Sequence, residues 1–156
     1  MNTRRLSWVA IGLWVVTLIV AAVFFIRGQT APSTDGRREI ALAPAERDLV
    51  LAEMRTMLHS VHGIVTGVQQ NDRQAVAKTA RASGMAAAVD LSPQLMAKLP
   101  LEFKQLGVSV HKRFDQLAAR AGAGASRDEL LTTLSTQLSA CVACHAGYRL
   151  AVAEMK

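Results

Sequence analysis

Residues 126–150 read SRDELLTTLSTQLSACVACHAGYRL, and the fold turns on this stretch. Ser126 followed three residues later by Glu129 is a capping box. Asp128 and Glu129 fall in the first turn, where the helix dipole favours negative charge. Leu130, Leu131, Leu134, Leu138, Cys141 and Val142 then recur at helical spacing. The pattern predicts one helix that contains both cysteines and runs nearly to the last residue.

Upstream, the same periodicity predicts three more helices. Pro44 suits a first helical turn, and the apolar stripe from Leu49 through Met54, Met57, Val61, Ile64 and Val68 carries that helix to about Gln70. Asn71 with Gln74 resembles a second capping box, opening a helix of small residues that ends before Asp90. Ser92-Pro93 opens a short helical turn. Pro100 starts a third long helix, with Leu101, Phe103, Leu106, Val110, Phe114 and Leu117 on its buried face and Gly122-Ala123-Gly124 stopping it. No alternation of period two is long enough for a sheet. The simplest assembly is all-α: an antiparallel up-down-up-down four-helix bundle over residues 44–156.

Residues 1–27 are of another kind. Leu6–Ile26 holds 21 residues without a charge, enough to cross a bilayer core. Arg4 and Arg5 precede it, which keeps its N-terminus in the cytoplasm and sends the rest outside. Phe24, Phe25, Ile26 and Arg27 make a poor cleavage site, so the block reads as a retained single-pass anchor rather than a removed signal. Residues 28–43, with Gly28, Pro32, Ser33, Thr34, Asp35 and Gly36, read as a polar tether. The net charge is +6, half of it from the three arginines flanking the anchor. The remaining basic residues are scattered among acids, which excludes a nucleic-acid patch.

Cys141-Val142-Ala143-Cys144-His145 fits C-x-x-C-H, the attachment signature of a c-type haem. Thiols at i and i+3 share a helix face, so both can reach vinyl groups on one edge of a macrocycle. The adjacent His145 supplies an imidazole to the iron. A zinc site needs four ligands, and no second pair exists. A thioredoxin-like pair opens a helix after a strand, whereas this one lies deep in a late helix. The motif therefore predicts one covalent haem c. Tyr148 and Arg149 lie three and four positions after His145, on its face if the helix continues; Arg149 can pair with a propionate and Tyr148 can pack on the ring edge.

This motif in the last helix, followed by Tyr148-Arg149, resembles the cytochrome c′ family, the class II cytochromes c, over about residues 44–156. The anchor and tether depart from the soluble members. The resemblance implies that a first-helix residue faces the sixth iron position. A Met there gives a low-spin electron carrier, and an apolar residue gives a five-coordinate iron that binds gases such as nitric oxide. The family's Arg near that position is matched around Glu53-Met54-Arg55-Thr56-Met57. Met54 is the first candidate distal ligand, Met57 the second and His62 the third. His59 falls on the solvated side, Met85 and Met96 are less well placed, and His111 reads as partly exposed. The resemblance also implies a homodimer through the first two helices, for which Ala75, Ala80, Ser83 and Gly84 permit close packing.

The expected function is electron transfer by a monohaem cytochrome. It would be anchored in a bacterial inner membrane, with its domain in the periplasm and a redox protein as partner. The alternatives are a gas-binding haem protein and a haem subunit of a larger respiratory complex. An enzyme is not expected, because no distal acid–base group can be placed.

Overall fold

A computed structural model describes residues 3–88 and 91–153, with the side chains of residues 3–6 excepted. The expected end of the second helix just before Asp90, the first two residues of the expected anchor and residues 154–156 lie outside the described residues. The chain is mostly helical, as expected, but it also contains a three-stranded sheet.

Helix α1 spans Thr3–Arg27. At 1.5 Å per residue it is roughly 37 Å long, and its stretch Ser7–Arg27 is long and apolar enough to cross a membrane. The Thr17 hydroxyl donates to the Leu13 carbonyl at 2.9 Å and is satisfied within the helix itself.

Residues 28–43 are not a loose tether. Gly28 ends α1 with φ +60°, and a Cβ there would stand 2.5 Å from the Lys98 carbonyl oxygen and the Pro100 nitrogen. Only glycine allows both that turn and that approach. Gln29 N–H then donates to the same Lys98 carbonyl at 2.7 Å. Strand β1, Thr30–Pro32, pairs antiparallel with β2, Arg38–Leu42. Ile40 and Leu42 on β2 are fully buried. Burying side chains of that size stabilises by about 1.5–3 kcal/mol each, which explains why a segment that looks polar as a whole is held in place.

Helix α2, Pro44–Gln69, begins with Glu46 accepting from the Ala43 N–H at 2.9 Å and from the Lys98 ammonium at 2.7 Å. The next helix is shorter than expected: α3 spans Arg73–Arg81. Its cap is Asp72, which accepts from the Ala75 N–H at 2.8 Å, rather than Asn71, which turns the chain with φ 56°. It stops where Ser83 and Gly84 become buried. A Cβ on Gly84 would overlap the Asp115 carboxylate, which accepts from the Met85 N–H at 3.0 Å. A short helix α4, Pro93–Lys98, leads to α5, Leu101–Gly122. Ser126 and Glu129 form the expected capping box on α6, Arg127–Gly147.

Helix α3 packs between α2 and α5, and α6 packs on α5 and more lightly on α2. Their shared core centres on Ile64, Val76, Phe114, Leu117 and Leu134. Of the four small residues expected to permit close packing with a second copy, Ala80, Ser83 and Gly84 are buried within this chain and Ala75 is half-buried. The Ser83 hydroxyl bonds that of Ser60 at 2.8 Å. Gly63 admits Thr79 and Gly67 admits Val76.

The helix carrying the cysteines ends at Gly147. Tyr148–Val152 is strand β3, parallel to β2 with Arg38 opposite Tyr148 and Leu42 opposite Val152. A second core forms around this sheet, with Ile40, Leu42, Val50, Leu95, Leu99 and Tyr148.

Candidate functional site

The last turn of α6 lies against the sheet core. Cys144 packs there with Met54, Phe103 and Leu150, while Cys141 one turn earlier is half-buried. Both thiols are free. Burial pushes both above the usual thiol pKa, Cys144 further helped by the neighbouring Cys141. A redox dithiol needs the opposite shift, so a thioredoxin-like role does not suit this pair. His145 is exposed.

Beside these residues lies a cleft of about 180 Å³ lined by Leu51, Met54, Phe103, Cys144, His145, Tyr148 and Arg149, among others. Five of the residues singled out in the sequence thus meet at one place. Met54 contributes from α2, Cys144 and His145 from α6, Tyr148 and Arg149 from β3. Met57 belongs to the other core, with Val61 and Leu138. His62 and His59 are exposed. The geometry separates Met54 from its competitors, which helical periodicity alone leaves in one stripe.

Tyr148 and Arg149 reach the cleft by another route than expected. They follow His145 on a strand, not on its helix face. The Tyr148 ring meets Phe103 edge-on at 5.5 Å, and the Arg38 guanidinium lies 4.6 Å from its centroid. Its hydroxyl donates to Glu102 at 2.8 Å. Burial first, and the Glu102 carboxylate second, push that hydroxyl's pKa to about 12, so it stays protonated. Arg149 lies 3.3 Å from Glu39 and 3.7 Å from Asp35. Arg37, also on the cleft, donates to the His145 carbonyl at 3.3 Å and pairs with Asp35 at 2.7 Å. The cleft therefore has an apolar wall with a thioether and a cationic rim.

Does this arrangement suit the group that C-x-x-C-H predicts? The donor set does in part: the Cys144 thiol, the His145 imidazole and the Met54 thioether line the same space, while the free Cys141 thiol lies one helical turn before it and is not part of the lining. Gln137, one turn before Cys141, is buried with its side-chain nitrogen and oxygen unpartnered among the described residues, and is not part of the cleft lining. The space is smaller than the roughly 300–1,000 Å³ usual for cofactor sites. A macrocycle joined to both thiols would therefore need space beyond this cleft. Among the described residues no group of three or more His, Cys, Asp or Glu side chains converges to hold a bare metal ion.

His111, expected to be partly exposed, is buried. Its Nδ1 bonds the Ser83 carbonyl at 2.9 Å and its Nε2 lies 3.2 Å from Glu53. The Glu53 carboxylate raises its pKa. Single-residue periodicity around the basic neighbours Lys112 and Arg113 hides this pairing. A wider polar groove of about 410 Å³ lies between Arg113 and Arg120 of α5 and the first half of α6. It contains none of the motif residues. No protein-family model, curated protein or solved structure matches the chain.

Proposed function

We propose that the chain is a membrane-anchored monohaem c-type cytochrome that transfers electrons outside a bacterial cytoplasmic membrane, in the periplasm. The observation that carries this reading is the meeting of Met54, Cys144 and His145 at one cleft, on a chain whose cysteines and histidine are spaced C-x-x-C-H. Bound haem would supply a one-electron couple at iron. Cys141 and Cys144 would hold it through thioethers, and His145 would donate an imidazole nitrogen. Met54 would donate its sulfur from α2. Leu51, Phe103 and Leu150 would keep water from that side, and burial of this kind tunes a redox potential. Arg149 and Arg37 would meet carboxylates at the rim, in exchange for their present partners Asp35 and Glu39. The ring of contacts through α2, α3, α5 and α6 suits a four-helix bundle of the cytochrome c′ kind with a shortened second helix. Arg4 and Arg5 before the span put the domain outside the cytoplasm. A transient redox protein is the partner, and no enzymatic step is assigned to the chain.

The test is a visible spectrum and a pyridine haemochrome assay on the full chain made with haem-attachment machinery. Covalent haem and a low-spin ferrous spectrum are expected. Met54→Ala is expected to turn the spectrum high-spin and open the iron to carbon monoxide. A wild-type protein that is already high-spin and binds carbon monoxide would make it a gas binder instead. Absence of covalent haem would end the reading. Co-purification with a respiratory assembly would make the chain a subunit rather than a carrier.

A further inference from the structure

Lys104 on α5 marks where the domain meets the end of the apolar span. Ser7–Arg27 is 21 residues, about 31 Å of helix, which matches a hydrocarbon core of about 30 Å. With lipid around that span, its C-terminal end lies at a bilayer surface. Phe25 is in this last turn. The Lys104 ammonium donates to the Phe25 carbonyl at 3.2 Å and to the Met96 carbonyl at 3.3 Å, and stands 3.6 Å from the Phe25 ring centroid. Gly28 packs on the Lys98–Pro100 backbone just before α5 begins. The start of α5 is thus held at the depth of the lipid head groups.

From Lys104 an open hollow of about 340 Å³ runs along one face of α5, lined by Lys104, Gln105, Val108, Ser109 and Lys112. Among the described residues no carboxylate lines it. The two acids of α5 are engaged elsewhere: Asp115 accepts from the Met85 N–H at 3.0 Å, and Glu102 accepts from Tyr148 and pairs with Arg38. Lys112, and Arg27 at the end of the span, are in no ion pair among the described residues. Val108, between the two lysines, is 43% exposed. Two ammonium groups around an exposed valine suit a surface that is anionic at its head groups and apolar beneath them. Lys112 lies at most about 12 Å along α5 from Lys104, close to the Debye length of about 10 Å over which such attraction acts. We propose that this face of α5 docks on anionic phospholipid head groups, so that the domain is held to the membrane by its own surface as well as by α1. The docking rests on α1 crossing a membrane and not on the haem.

The test places the photoreactive residue p-benzoylphenylalanine at one position at a time in the full chain, in lipid nanodiscs, and measures lipid adducts by mass spectrometry. Trp14 lies within the span, Val108 in the hollow, and Leu131, also exposed, on α6 and outside the hollow. Adducts are expected at position 14 in any bilayer and at position 131 in none. At position 108 the yield is expected to be about fivefold higher with phosphatidylglycerol present than with phosphatidylcholine alone. Lys112→Gln is expected to lower that yield about fivefold in the anionic bilayer, and about 1 M salt to remove the difference between the two bilayers. Equal yields at 108 and 131, equal yields in the two bilayers at low salt, or an unchanged yield in Lys112→Gln would overturn the proposal. Adducts at 14 without adducts at 108 would remove the docked face and leave the anchor, whereas no adducts at 14 would remove both. Gln105, exposed in the same hollow, takes the probe with the same expectations where the probe at 108 lowers the melting temperature.

Discussion

Gln137 is 1% exposed and its side-chain amide is unpartnered among the described residues. A buried polar group left in that state costs about 1–3 kcal/mol. Gln137→Leu, close in size and apolar, is expected to recover about that much in the full chain made without haem, read as a raised melting temperature. No gain in the haem-free chain would show that the amide is already satisfied. A gain that vanishes once haem is attached would show that the attached group, or water held with it, bonds the amide. At this scale the sequence is very uneven in what it reveals. The grouping of Cys141, Cys144 and His145 is legible because their spacing is local and all three fall on one helix, α6. Met54 and Met57 are not separable, because three residues on one helix differ by little in phase and only a neighbouring element decides which faces what. His111 is misread for the same reason: its partners Glu53 and Ser83 come from other segments.

The elements with strong caps or stops fall where the residues indicate. Pro44, Ser126 with Glu129, and the Gly122–Gly124 stop all act through neighbours a few positions away. The strands do not show. REIAL at 38–42 and YRLAV at 148–152 are five residues each, and their pairing spans about a hundred residues. A parallel pair needs a long crossover, and here the whole helical domain is that crossover. Helix α3 is cut short by a tertiary contact, Asp115 against Gly84, that no local signal contains. Strand β3 also forms part of the cleft wall. If haem attachment moves it, the amides of Ala151 and Ala153, which face β2, should lose protection. Hydrogen exchange on haem-free and haem-loaded full chain is the check. Equal protection in both would mean that β3 stays paired and the group sits outside it.

Over the whole molecule, helix α1 is docked rather than loosely attached. Gly28 lies against the Lys98–Pro100 backbone, Gln29 bonds Lys98, and Lys104 holds the last turn of α1. Gly28→Val meets two obstacles: a φ of +60° that a β-branched residue adopts only at a cost, and backbone atoms 2.5 Å from its Cβ. The variant is expected to free the junction while the helical core around Phe114 stays folded. Limited proteolysis in nanodiscs should then cut within residues 28–37 faster by about tenfold, since local opening governs cleavage. An unchanged rate would mean that α1 is held by other contacts.

The parallel pairing of β2 with β3 has one more consequence, in the order of synthesis. A chain emerges from its N-terminus, so Ile40 and Leu42 are made early, and the strand that completes their sheet is made last. Cys141 and Cys144 precede that strand by only a few residues. Until β3 arrives, the cleft has no closing wall. Under the proposed haem reading, the interval between synthesis of the cysteines and closure of the sheet would be the moment when a bulky group could reach both thiols without displacing β3.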